Sequence, residues 1–85
     1  MPWDNATAKQ FGAALRRLRE ERHLSQESLA FQAGITKNQV QLIEAGRASG
    51  RQGEIGPSNP RMSTLTGLAD ELGIPLSTLL AEARL

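Results

Sequence analysis

Phe11, Leu15 and Leu18 recur at intervals of four and three, with Ala14 beside them, while Arg16, Arg17, Arg19 and Arg22 fill the positions between. That spacing puts the apolar groups on one face of a helix and the charges on the others. It predicts a first helix from about Ala8 to about Arg22. Thr7, followed three residues later by Gln10, has the form of a capping box, and residues 1–6 read as a loose start. Leu24 is expected to be a buried anchor in the connection.

Ser25 is a natural N-cap for a short second helix, Gln26 to Ala33. Leu29 and Ala30 supply its inner face, with Phe31 or Ala33 near the edge. Gly34 permits a sharp turn, because glycine reaches positive φ without the steric cost other residues meet. Thr36 and Gln39 repeat the capping-box spacing and open a third helix, Lys37 to Ala45, in which Val40 and Ile43 point inward. Gly46 closes it. Two short helices joined by a tight turn containing glycine form the pattern of a helix-turn-helix.

Arg47 to Pro60 breaks the pattern. This stretch is rich in glycine and proline and has no helical hydrophobic repeat, so it predicts an exposed long loop. Asn59 and Pro60 can cap and open a fourth helix. Leu65, Leu68, Ala69 and Leu72 give that helix an apolar stripe, and Gly73 ends it. Ile74 and Pro75 lead into a last short helix carrying Leu76, Leu79 and Leu80. The pattern therefore predicts five helices, no strands and no internal repeat. Because the chain has only 85 residues, these must share one core in one domain, residues 1–85. Trp3, Phe11 and Phe31 are the only aromatic residues, so that core is aliphatic, which favours an all-α fold.

Composition narrows the chemistry. There is no cysteine and one histidine, His23, so thiolate chemistry and a zinc site of the usual kind are not expected. No catalytic residue, cofactor or metal is expected, and no segment approaches the length of a membrane span or signal sequence. A cytoplasmic protein is expected. The formal net charge of +1 is too small to announce a nucleic-acid partner. Its distribution says more: residues 1–61 hold nine basic and six acidic groups, and residues 62–85 hold one basic and three acidic. Positive potential should lie on the N-terminal two-thirds.

Residues 24–46 read LSQESLAFQAGITKNQVQLIEAG. Together with Leu15-Arg16-Arg17-Leu18-Arg19 ahead of them, and Pro60, Leu65, Ala69, Leu72, Gly73-Ile74 and Leu79-Leu80 behind, they resemble the phage-repressor (Cro/C1, or XRE-like) helix-turn-helix domains. The resemblance implies a compact five-helix, lambda-repressor-like domain whose helix-turn-helix is formed by helices 2 and 3. It also implies sequence-specific binding of double-stranded DNA, with the third helix in the major groove and the second across the backbone. Gln26 matches the family's backbone-contacting glutamine, at a helix end that favours anions. Lys37 and Asn38 match the family's principal base-reading positions, and lysine and asparagine suit guanine and adenine edges. Thr36 is expected to position the helix, Gln39 to cap it or make a contact, and Gln41 to face the groove.

Leu42 departs from the family, which usually has a polar or basic residue there. It can meet a thymine methyl group, the long loop or a partner protein. The resemblance implies that residues after the third helix, Arg47 and Arg51 among them, approach the sugar-phosphate backbone, and that Arg61 approaches the minor groove between half-sites. The 47–60 loop is about ten residues longer than the family's usual connection, as a mobile arm or as a tolerated insertion. The resemblance pairs Glu44 with Arg19, between the first and third helices. Glu44 has no neighbouring acid, base or nucleophile in the sequence, so an enzyme is not expected.

A domain of this kind is expected to act as a homodimer on a palindromic operator, as a repressor or controller. Leu76, Leu79, Leu80 and Leu85 are available for the dimer surface, although Leu76 and Leu79 fit the core better. Three settings suit it: a phage or plasmid repressor, a restriction–modification controller, or an antitoxin acting with a protein partner. The alternative is a protein-interaction domain that has kept the fold and lost DNA binding. A positive patch over the second and third helices would oppose that alternative, and Leu42 inside an apolar patch would favour it.

Overall fold

The first helix begins earlier than its capping pattern indicates. In the computed structural model, which describes residues 3–48 and 56–85, α1 runs Asn5–Glu21 and its N-cap is Asp4, not Thr7. The Asp4 carboxylate accepts the Thr7 backbone N–H at 2.8 Å. A carboxylate is well placed at the positive end of the helix dipole. Gln10, the other half of the expected capping box, instead donates to the carbonyl of Ala83 at 2.8 Å, tying α1 to the far end of the chain. Residues 1–6 are accordingly not all loose. Trp3 is half-buried, with its ring centroid 5.8 Å from that of Phe11.

The next two helices are those the sequence predicts: α2, Gln26–Ala33, and α3, Lys37–Ala45. The Ser25 hydroxyl accepts the Ser28 N–H at 3.0 Å. Gly34 ends α2 at φ 71°, where a side chain would be strained, and turns the chain into α3. Thr36 and Gln39 form the full reciprocal capping box, at 3.1 and 2.8 Å. Phe31 does not edge the core. It is 88% exposed, while Ala33 packs against the core in its place.

The fourth helix, α4, spans Met62–Leu72 with Arg61 at the N-cap and no side-chain cap, so Asn59 and Pro60 precede it and do not open it. The fifth, α5, is Leu76–Glu82, with Pro75 at its N-cap. α4 lies against α2, α3 against α1, and α5 against α1 and α4. Phe11, Leu15, Leu29, Val40, Leu68 and Leu79 are fully buried where these helices meet, and Leu24 packs on the margin. Leu76, Leu80 and Leu85 also pack partly against this core, which leaves only their edges for any other surface. α1 and α3 approach so closely at Gly12 that a Cβ there would lie 2.6 Å from the Glu44 carbonyl oxygen.

The segment after α3 is less open than expected at its two ends. Arg47 and Pro57 form an isolated antiparallel bridge. The Ala48 N–H donates to the Gly56 carbonyl at 3.1 Å, and the Ser58 N–H to that of Gly46 at 3.3 Å. The Trp3 indole N–H donates to the Ser58 carbonyl, so the start of the chain holds this stem. Arg51 lies outside the described residues.

Candidate nucleic-acid interface

Two clefts flank α3. The first, of about 530 Å³, is lined by Arg16 and Arg19 of α1, Gln26 at the start of α2, and Lys37, Gln41 and Glu44 of α3. The second, of about 580 Å³, lies between the other side of α3 and the loop stem, and its lining includes Gln39, Leu42, Arg47, Asn59 and Arg61. At about 100° per residue, Asn38 falls on the ridge between them, and it is exposed. The structure thus gathers Gln26, Lys37 and Gln41 on one side, and Gln39, Leu42, Arg47 and Arg61 on the other. Thr36 sits at the head of the helix, with its hydroxyl committed to the cap.

The electrostatics differ between the clefts. In the first, Lys37 Nζ lies 3.5 Å from Glu27 Oε1, with both side chains more than half exposed. Such a pair is screened and contributes little, so Lys37 remains available to an anion. In the second, Arg47 and Arg61 form no ion pair with any described residue. Leu42 is half-buried in the second cleft, whose lining mixes the apolar Ala33, Ile35, Ile43, Pro57 and Pro60 with the polar Gln39, Arg47, Asn59 and Arg61.

Beneath the first cleft lies the Arg19–Glu44 pair. Arg19 Nε donates to Glu44 Oε2 at 2.7 Å and Nη2 to Oε1 at 3.2 Å, while Nη1 donates to the Leu24 carbonyl at 2.9 Å. The two side chains are 13% and 5% exposed. The Glu44 carboxylate raises the Arg19 guanidinium above its already high pKa, through the hydrogen bond first and against the cost of burial. Gln26 Nε2 also donates to Glu44 Oε1, at 3.0 Å.

Sequence reasoning missed two features here. Arg16 lines the first cleft, and the signal for it was its place one turn before Arg19 on the same helix face. The bond from Gln26 to Glu44 spans 18 residues and had no local signal.

Two short helices joined through a left-handed glycine, with polar groups along the outward side of the second, make this a helix-turn-helix module. Residues 10–81 match a family described as a helix-turn-helix domain, and the chain belongs to that family, in its phage-repressor-type, XRE-like form. Among solved structures, it is similar to the restriction-modification controller protein C.AhdI from Aeromonas hydrophila. The identity is 34% over 87% of this chain and 97% of that chain, with a TM-score of 0.70. It also shares a fold with the clp gene regulator ClgR from C. glutamicum. There the identity is 21% over 92% of this chain and 88% of that one, with a TM-score of 0.68. No curated protein sequence matches it. The family is one of regulators, not enzymes. No helix among the described residues is long and apolar enough to cross a membrane.

Proposed function

We propose that the chain is a sequence-specific transcriptional regulator that binds double-stranded DNA as a homodimer, in the cytoplasm. The observation that carries this reading is the first cleft. It joins the start of α2, where Gln26 stands, to the first turns of α3, where Lys37 and Gln41 stand. A backbone phosphate meets the N-terminus of α2 there, through amide donors and the helix dipole. The ridge carrying Asn38 then enters the major groove with Lys37 beside it, and these two read base edges. Arg47 and Arg61 flank the neighbouring phosphates, and Thr36 and Gln39 fix the start of the helix. Leu42 offers an apolar contact for a thymine methyl.

The likeness to a restriction–modification controller favours that setting over a phage repressor or an antitoxin. A two-fold dimer places two α3 helices about one turn of DNA apart, near 34 Å. The half-buried edges of Leu76, Leu80 and Leu85 supply apolar surface for that contact.

A second reading, in which the surface binds protein, draws on Phe31, which is 88% exposed on α2. Selection from a randomised duplex pool at two salt concentrations separates the two. An enriched palindrome whose affinity falls as salt rises supports the regulator. No enrichment at either salt refutes it and leaves the protein partner.

A further inference from the structure

We infer that Glu44 is a positioning residue for DNA binding: it orients the Gln26 amide so that one N–H is held inward and the other faces the backbone phosphate. This rests on the reading that the start of α2 meets the DNA backbone. The geometry is specific. Glu44 Oε2 is taken by Arg19 Nε at 2.7 Å, and Oε1 receives both Arg19 Nη2 at 3.2 Å and Gln26 Nε2 at 3.0 Å. One carboxylate therefore links α1, α2 and α3 directly beneath the proposed phosphate position.

The chemistry of the pair decides which way the amide faces. A carboxylate only accepts, so the Nε2 end of Gln26 must turn towards it. That spends one of the two amide hydrogens and leaves the second for a ligand. A free glutamine would have to lose its rotamer freedom when DNA arrives. Here much of that ordering precedes binding, which lowers the cost of association. The Arg19 guanidinium is essential to the arrangement, because it neutralises the carboxylate that would otherwise repel a phosphate. Glu44 is only 5% exposed, so it acts on DNA through Gln26 and not by touching it.

The alternative is a purely structural tie between α2 and α3, and the two differ in measurable ways. Operator affinity is measured for the full chain, Q26A, E44Q and the double variant, with folding of each checked by circular dichroism. E44Q introduces a side chain that can both donate and accept, so the Gln26 amide loses its unique orientation. Its change of charge cancels when Q26A is compared on the two backgrounds. Q26A is expected to weaken binding about tenfold on the native background and no more than about twofold on E44Q. Equal losses on both backgrounds overturn the positioning role and leave the Gln26 contact standing. No loss from Q26A on the native background refutes the contact itself, and the inference with it. Should E44Q fail to fold, side-chain amide NMR of the native chain decides. On addition of operator DNA the outward proton of Gln26 Nε2 should shift while the Glu44-bound proton holds. Both protons moving together would overturn the inference.

Discussion

Replacing Arg19 with methionine tests whether the α1–α3 junction depends on charge or on shape. The change keeps most of the side-chain volume and removes every donor to Glu44 except Gln26. With Glu44 only 5% exposed, losing the guanidinium leaves its carboxylate poorly solvated. Breaking a buried pair from one side costs about 3–5 kcal/mol. A domain of this size has a total stability of about 4–13 kcal/mol, so the loss is a large share of it. At about 4–8 °C per kcal/mol, even the lower figure moves the midpoint by about 12 °C or more. Thermal and urea unfolding of the two proteins, followed by circular dichroism, gives both numbers.

The double variant R19M/E44L sharpens the test. Two apolar groups in place of a buried pair are often neutral or stabilising, because neither charge must then be desolvated. The double variant should therefore be more stable than R19M alone, by about 2 kcal/mol or more. The reasoning is refuted if R19M costs less than about 1 kcal/mol, which is what a solvated pair contributes. It is also refuted if the double variant is less stable than the single one.

The remaining predictions concern packing, pH and DNA. G12A should destabilise by about 1–3 kcal/mol or more, since its Cβ meets backbone and not a flexible side chain; unchanged urea unfolding would contradict the close approach. The Thr7 N–H holds the Asp4 carboxyl below its ordinary value of 3.8. Its folded pKa is depressed, so the cap's contribution is complete above the unfolded value and is lost as pH falls through the lowered one; NMR titration of Asp4 at 3.8 or above would contradict the cap. Under the proposed function, R16A should weaken all duplexes alike and reduce the salt slope by about one. K37A should instead relax preference at one base position, at a cost of about 1–3 kcal/mol; the converse pattern, read from binding to matched and mismatched duplexes, would exchange the two roles.

What was legible in the sequence follows from the range of each interaction. The ends of α2 and α3 are set by bonds three residues long, from Ser28 to Ser25 and between Thr36 and Gln39, and by glycines that allow a left-handed turn. These are local, and the helix-turn-helix was read from them residue for residue. The start of α1 was read from Thr7 with Gln10, but the cap is Asp4 with Thr7. Partners far along the chain decide it, since Gln10 is drawn to Ala83 and Trp3 to Ser58. The choice between Phe31 and Ala33 stayed open because hydrophobicity alone cannot place a residue at the edge of a short helix. Leu29, Ala30 and Ala33 already fill the inward side of α2, leaving Phe31 to solvent. The Arg47–Pro57 bridge joins two ends of a loop across nine intervening residues, and neither end carries a strand pattern.

The whole-chain charge of +1 conceals the property that bears on function. Much of the basic charge is answered locally. Arg17 pairs with Glu21 and Glu82, Arg16 with Glu20, and Arg19 with Glu44. Of these, only Arg19–Glu44 is buried, so only it is withdrawn from a ligand; the exposed pairs can exchange a carboxylate for a phosphate at small cost. Arg16 and Lys37 on one side of α3, and Arg47 and Arg61 on the other, therefore bracket the ridge that carries Asn38. Of the two marks set for the alternative, the basic groups on α3's flanks oppose a protein-binding surface, while Leu42 shares its cleft with the apolar Ala33, Ile35, Ile43, Pro57 and Pro60. Among the described residues, the exposed large apolar side chains are Phe31 and Met62, and they line neither cleft. Under the proposed function, a polyanion that follows both sides of α3 accounts for this placement of charge.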